Sequence, residues 1–156
     1  HHEWIAEGPG DPREAIARAL LDATAGAKTV VTYNAAFERG RIAELRDAVP
    51  ALAAELDDLF DRIVDLLPIV RDHVYHPDFG GSFSLKSVLP ALVPDMGYDD
   101  LEVGDGGTAT AELERLMFGE MADDERAKLR DALLAYCETD TLAMVRLMER
   151  LRKLAA

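Results

Sequence analysis

A tyrosine and an aspartate stand one helical turn apart in LLAYCETDTLAMVRL, residues 133–147. Tyr136 and Asp140 share one helical face with an apolar stripe. That stripe consists of Leu129, Leu133, Met144, Leu147 and Leu151. A charged carboxylate on such a face is costly unless it is paired, capping or metal-bound. Three interpretations of Asp140 are therefore open: it caps a new helix starting at Thr141, it pairs with an arginine, or it holds a metal ion.

Tyr136 has two interpretations of its own. A phenol beside a metal-bound carboxylate could orient or deprotonate an attacking water molecule. A tyrosine on a core-facing stripe could equally be packed there, with its hydroxyl group satisfied by a hydrogen bond.

A second candidate group lies in VVTYNAAFERGRI, residues 30–42. A β-branched run, typical of a buried strand, ends at Tyr33 and Asn34. The following helix carries Phe37 and Glu38 in its first turn. Glu38 therefore follows the end of an apolar strand, where active sites of open α/β sheets lie. Alternatively, Glu38 merely complements the positive end of the helix dipole.

Together the two segments resemble motifs of the DEDD-type 3′–5′ exonucleases, the DnaQ-like branch of the ribonuclease H-like fold. One motif of that superfamily, His/Tyr-Asn-x-x-Phe-Asp, is matched by Tyr33, Asn34, Phe37 and Glu38. Another, Tyr-x-x-x-Asp of one subclass, is matched by Tyr136 and Asp140. The segments RIVDLL and SFSLKSVLPAL resemble the superfamily's middle strand and its serine- and leucine-rich helix. Within that group the chain is most similar to an uncharacterised bacterial family, a domain of unknown function.

Two features depart from the superfamily pattern. Glu38 stands in place of the usual aspartate, which lengthens the side chain by one methylene. The first motif, an Asp-x-Glu on the central strand, has no counterpart, because Glu3, Glu7 and Asp11 lie in polar or turn sequence. We therefore expect a ribonuclease H-like fragment that lacks the central strand, with the first motif upstream of His1.

The resemblance implies a site with two Mg²⁺ or Mn²⁺ ions about 4 Å apart. One ion would activate water, and the other would stabilise the leaving 3′ oxygen of a phosphodiester. Asp140 and Glu38 would be metal ligands and, with Tyr136 positioning the water, the catalytic residues.

The implied substrate is the 3′ end of single-stranded DNA or RNA. Asn34 and Phe37 would form the floor under the terminal nucleotide, although Phe37 could instead pack in the core. Lys86 could contact a phosphate or could be a solvated helix lysine.

The elements that must position these residues are mostly helical, so the sequence predicts a helix-dominated α/β fold in one N-terminally incomplete domain, residues 1–156. Strands are predicted at 28–34 and around Asp65. Helices are predicted at 35–48 with Asn34 as cap, after Pro50, after Ser82 or Ser84, at 108–118, and at 123–154 with a break near Thr139. Residues 94–107 read as acidic turns. A two-stranded sheet is poorly stable alone, and its exposed edge could pair with a second copy in a homodimer.

Composition limits the partners. The net charge of −13 argues against coating nucleic acid through a broad basic surface, but divalent metal sites are themselves acidic. No run approaches the roughly 18–20 apolar residues of a membrane span, and no leader is recognisable. The single cysteine, Cys137, excludes an internal disulfide and fits a reducing compartment, so we expect a cytoplasmic protein without a membrane partner.

Three hypotheses follow. The first is a metal-dependent exonuclease domain, inactive or weakened without its first motif. The second is a non-catalytic module on the same fold that binds nucleic acid or protein. The third is a helical interaction domain in which Asp140 caps a helix.

Overall fold

A computed structural model describes residues 1–6, 8–97 and 101–156. Glu7 and part of the predicted acidic turns, residues 98–100, lie outside the described residues. The chain divides into two compact units, one formed by Asp11–Leu85 and the other by His1–Gly10 with Lys86–Ala156. The single domain over 1–156 stays a prediction.

The unit Asp11–Leu85 contains a small parallel sheet with four helices. Its elements are α1 (Arg13–Ala23), β1 (Val30–Thr32), α2 (Ala36–Ala48), a 3₁₀ turn (Pro50–Leu52), α3 (Ala53–Asp61), β2 (Ile63–Asp65), α4 (Leu66–His73) and a second 3₁₀ turn (Pro77–Phe79). Parallel strands cannot be joined by a tight turn, so α2 and α3 form the connection. Both predicted strands are confirmed at three residues each, with Val30 opposite Ile63 and Thr32 opposite Asp65.

The core of this unit lies between the helices and one strand. Its buried side chains include Ala17, Ile42, Leu52, Leu56, Leu59 and Ile63. Among the described residues, the sheet has no third strand. The ribonuclease H-like fold and the homodimer through the sheet edge therefore stay predictions.

One carboxylate holds three segments of this unit. Asp65 ends β2 and caps α4, since its Oδ1 accepts from the Leu67 amide at 2.9 Å. The same oxygen accepts from the Asn34 amide at 2.8 Å, and Oδ2 accepts from the Ala35 amide at 3.0 Å. The turn that leads into α2 is thus held by a residue 31 positions away from Asn34.

The prediction that the Asn34 side chain caps α2 is wrong. The cap residue is Ala35, with no side-chain cap hydrogen bond. Asn34 instead adopts a positive φ of 66°, a left-handed conformation that asparagine tolerates better than most residues. This conformation lets two successive N–H groups face the Asp65 carboxylate.

The other unit is helical. It contains α5 (Leu85–Leu92, most of which belongs to this unit), α6 (Gly106–Phe118) and α7 (Asp123–Leu154). Asp105 caps α6 by accepting from the amides of Gly107 and Thr108 at 2.9 and 3.0 Å. Val103, Leu116 and Leu133 form a buried cluster between the segment before α6, α6 and α7.

Helix α7 runs unbroken for 32 residues, so the predicted break near Thr139 is wrong. The hydroxyl groups of Thr139 and Thr141 donate to the carbonyl oxygens of Ala135 and Cys137, one turn back in the helix, at 2.9 and 3.1 Å. Threonines bonded in this way are accommodated inside a helix. Because Asp140 lies in mid-helix, the interpretation that it caps a helix at Thr141 is excluded.

In the part of the chain that the structure describes, no helix combines the length and apolar character needed to cross a membrane.

Replacing Asp65 tests its role as the shared cap. Asp65→Ala should lower the free energy of unfolding by roughly 2–3 kcal/mol, because three backbone N–H groups lose their acceptor. Asp65→Asn keeps one acceptor oxygen and should lose about half as much. Urea denaturation measures both, and Asp61→Ala, at an exposed carboxylate ending α3, should stay within about 0.5 kcal/mol of the parent. Equal effects of Asp65→Ala and Asp61→Ala would contradict the shared cap.

Candidate functional site

Glu38 lies in the first turn of α2, directly beyond the carboxyl end of β1. Its side chain is half-buried, and its Oε2 atom is buried without a hydrogen-bond partner among the described residues. Burial raises the pKa of this carboxyl group, a backbone hydrogen bond opposes the rise, and the nearby charge of Asp65 adds to it. A buried, unpartnered carboxylate oxygen is expensive, and a bound cation would relieve that cost.

Asp65 is the residue of this region that sequence reasoning did not select. The available signal was local: an apolar strand ends in an aspartate immediately before a helix, which is a capping position. Its three accepted N–H groups give it a structural role. Its charge nevertheless reaches both Glu38 and Tyr33.

Tyr33 is fixed by a hydrogen bond rather than directed at solvent. Its hydroxyl donates to the carbonyl oxygen of Phe83 at 2.6 Å. Burial, followed by the charge of Asp65, raises the pKa of Tyr33 to about 12. The phenol is therefore protonated at neutral pH. The neighbouring Asn34 is exposed.

Phe37 is 66% exposed, so the alternative that it packs in the core is wrong. The guanidinium carbon of Arg41, one turn further along α2, lies 5.6 Å from the centroid of the Phe37 ring, within cation–π range. An exposed aromatic ring beside a cation has the chemistry needed to stack on a nucleobase and to meet its phosphate.

The other unit carries Tyr136 and Asp140, both half-buried on the face of α7 that the sequence predicts. The side chains of Tyr136 and Asp140 are hydrogen-bonded. Burial first, then the charge of Asp140 and this hydrogen bond, raise the pKa of Tyr136 to about 12. A phenol that stays protonated at neutral pH donates a hydrogen bond. Tyr136 is therefore suited to orienting a water molecule and not to deprotonating it.

Lys86 lies at the start of α5 and is exposed. Its ammonium group donates to the carbonyl oxygen of Gly104 at 2.8 Å, which ties it to the segment before α6. Lys86 is thus more constrained than a freely solvated lysine. Its contact with a phosphate stays a prediction.

The predicted residues fall into two local groups. Asn34 lies just before α2, and Phe37 and Glu38 lie in its first turn, in one unit. Tyr136 and Asp140 belong to the other unit. Among the described residues, no group of three or more histidine, cysteine, aspartate or glutamate side chains could hold a metal ion. Glu38 and Asp140 as ligands of a common two-metal site stay predictions.

By its architecture the chain is a helix-rich protein with a two-stranded parallel sheet. Residues 1–84, more than half of the 156, match the family described as "Domain of unknown function (DUF2779)". The chain belongs to that family, and the predicted membership of a domain family of unknown function is confirmed.

A relative extends the similarity beyond that match. The chain is 23% identical over 141 residues to "Uncharacterized protein UU173" of Ureaplasma parvum serovar 3 (strain ATCC 700970). The alignment covers 80% of this chain and 20% of that protein, so the chain spans about a fifth of its relative's length. No solved structure matches the chain significantly.

The environment of Tyr33 predicts an alkaline transition. The raised pKa means that the fold favours the protonated phenol, so this stabilisation is complete below pH 10 and is lost as pH rises through about 12. In an ultraviolet titration, one phenol fewer should ionise near 12 in Tyr33→Phe than in the parent. Tyr75→Phe is the matched control, because Tyr75 is 87% exposed and should leave the late ionisation intact. Ionisation of every phenol in one step near 10 would contradict the buried, hydrogen-bonded environment.

Proposed function

We propose that the chain carries part of the site of a metal-dependent 3′–5′ exonuclease-like domain on a ribonuclease H-like fold. Its substrate would be the phosphodiester at the 3′ end of single-stranded DNA or RNA. The observation that carries the proposal is the buried Oε2 atom of Glu38, which has no hydrogen-bond partner among the described residues. It belongs to a carboxylate that already lies near the charge of Asp65. Two neighbouring carboxylates, one of them unpartnered, favour a divalent cation.

The other part of the motif match supports the same proposal. Asp140 is half-buried in an unbroken helix, so capping does not account for it. Its partner Tyr136 is a protonated phenol at neutral pH. A carboxylate with an adjacent hydrogen-bonding group can hold a metal ion and a water molecule in a fixed relation.

The chemistry of the carboxylate side chains supports a weakly held divalent metal. Mg²⁺ and Mn²⁺ prefer carboxylate oxygens, and Mg²⁺ usually takes only one or two carboxylates together with water and substrate phosphates. Glu38 and Asp140 would each supply one carboxylate ligand to such ions. When bound, such ions supply an activated water and stabilise charge on the leaving oxygen. Tyr136 would position the water, and the exposed ring of Phe37 would stack on the terminal base.

The alternative is a non-catalytic nucleic-acid- or protein-binding module on the same fold. It is favoured by the absence, among the described residues, of any group of three or more potential metal ligands. The exposed pair of Phe37 and Arg41 could bind a nucleobase and a phosphate without any metal.

Metal binding is tested by thermal unfolding with and without Mn²⁺. At ten times its dissociation constant, Mn²⁺ should raise the Tm of the parent by roughly 3–5 °C. Glu38→Gln should abolish most of this shift. Without metal the same variant should raise the Tm by roughly 1–3 °C, because it removes an unpartnered negative charge. Asp140→Asn should also reduce the Mn²⁺ shift.

The control is Glu55→Gln, which neutralises an exposed carboxylate in α3 and should preserve the Mn²⁺ effect. If millimolar Mn²⁺ leaves the parent Tm unchanged, metal binding by this chain is excluded. If Glu38→Gln and Asp140→Asn both respond to Mn²⁺ like the parent, the ion binds elsewhere.

Activity separates the two candidate functions. In Mn²⁺, the full-length protein should shorten a 5′-labelled single strand from its 3′ end. Asp140→Asn should slow this reaction by at least about 100-fold, and Tyr136→Phe by roughly 10- to 100-fold. Binding of the strand without any shortening would instead support the non-catalytic module.

A further inference from the structure

A groove lies beside α7 in the unit that contains Lys86–Ala156, and the proposed function does not use it. Residues 91–96, at and after the end of α5, form one wall, and residues 142–153 of α7 form the other. We call this feature the α5–α7 groove. Its volume is about 680 Å³, within the roughly 300–1,000 Å³ of typical small-molecule sites.

The apolar part of the α5–α7 groove, which we call its floor, comes from both walls. Leu92, Val93, Met96 and Leu142 supply apolar side chains. The backbone of the first of these walls is held by hydrogen bonds from the Val93 amide to Leu89 and from the Met96 amide to Val93, at 2.7 and 3.1 Å. An apolar floor of this kind suits the face of a planar ring.

The rim carries a row of cations on a strongly acidic chain. Arg146, Arg150 and Lys153 line the groove. Their spacing of four and three residues places them on one side of α7, over roughly 10 Å of helix. Arg146 pairs with Glu149 at 3.0 Å, whereas Arg150 and Lys153 have no ion-pair partner among the described residues. The chain has a net charge of −13, so a row of cations gives an anion a defined place to bind on an otherwise acidic protein.

Two carboxylates, Asp95 and Glu149, also line the α5–α7 groove. They accept hydrogen bonds, so a ligand that uses the whole groove needs donor groups as well as an anionic group. A fatty acid has the anion and the apolar body but no such donors. A nucleoside phosphate has all three: phosphate oxygens, hydroxyl and amino donors, and a planar base.

We propose that the α5–α7 groove binds a nucleoside phosphate, supplied either as a free mononucleotide or as an internal nucleotide of a single strand. The guanidinium of Arg150 and the ammonium of Lys153 bind the phosphate, where the planar guanidinium can make paired hydrogen bonds. Asp95 and Glu149 accept from the sugar or the base, and the base covers the apolar floor. Neither Tyr136 nor Asp140 lines the groove. The first of its cations, Arg146, lies about 9 Å further along α7 than Asp140.

The test compares two charge reversals on the same helix. Arg150→Glu places a carboxylate in the groove, whereas Arg152→Glu changes the net charge equally at an exposed position that does not line it. Calorimetry measures the binding of AMP and of a short oligoadenylate at low salt with EDTA, so that any metal site stays empty. Arg150→Glu should weaken binding at least about tenfold, and Arg152→Glu by less than about twofold. Lys153→Glu should resemble Arg150→Glu.

Weaker binding of both ligands by Arg150→Glu supports the proposal with the free nucleotide as a ligand. Weaker binding of the oligonucleotide alone supports it with the strand as the source. Equal weakening by Arg152→Glu, or the absence of saturable binding of either ligand by the parent, overturns it. The exonuclease proposal is tested by its dependence on Mn²⁺, whereas this binding is measured in EDTA, so failure of the exonuclease proposal and failure of this one are separable.

Discussion

The carboxylate of Asp65 is the interaction on which the small parallel sheet and the turn beyond it depend. It joins the end of β2, the turn at Asn34 and Ala35, and the start of α4 through three backbone hydrogen bonds. The first N–H groups of a helix have no partner inside that helix. Asp65 accepts from one of them in α4 and also from the two amides that immediately precede α2. Strands of three residues supply few ladder hydrogen bonds, so this shared cap fixes the direction in which α2 leaves β1, and with it the position of Glu38.

The negative charge of Asp65 stabilises the backbone but disfavours the ionised forms of the neighbouring side chains Glu38 and Tyr33. Asp65 raises the pKa of Glu38 and of Tyr33, in both cases after the larger effect of burial. The Tyr33 phenol stays protonated and donates a hydrogen bond to the carbonyl oxygen of Phe83. Glu38 has no such partner among the described residues. A position where local stability is sacrificed in this way is where function is expected, and negative charge around an unpartnered oxygen attracts a cation.

Features set by local pattern could be predicted from the sequence, and features set by distant partners could not. Short apolar runs predicted both strands, and apolar spacing predicted the half-buried face of α7 that carries Tyr136 and Asp140. The prediction of a helix break near Thr139 was wrong because a threonine hydroxyl can donate a hydrogen bond to a carbonyl oxygen in the preceding turn without ending the helix. The prediction that Asn34 caps α2 was wrong because the backbone amide of Asn34 is held by Asp65, 31 residues away. The exposure of Phe37 likewise depends on packing that motif spacing does not encode.

Whether the unpartnered oxygen of Glu38 marks a cation site decides between a metal-dependent nuclease and a passive module. Anomalous diffraction from crystals soaked in Mn²⁺ locates a bound manganese ion directly. The proposed function predicts an anomalous peak within about 2–2.5 Å of the Glu38 Oε2 atom. Well-ordered soaked crystals with no peak beside Glu38 or Asp140, and with the Glu38 carboxylate bonded to a protein donor, would contradict it.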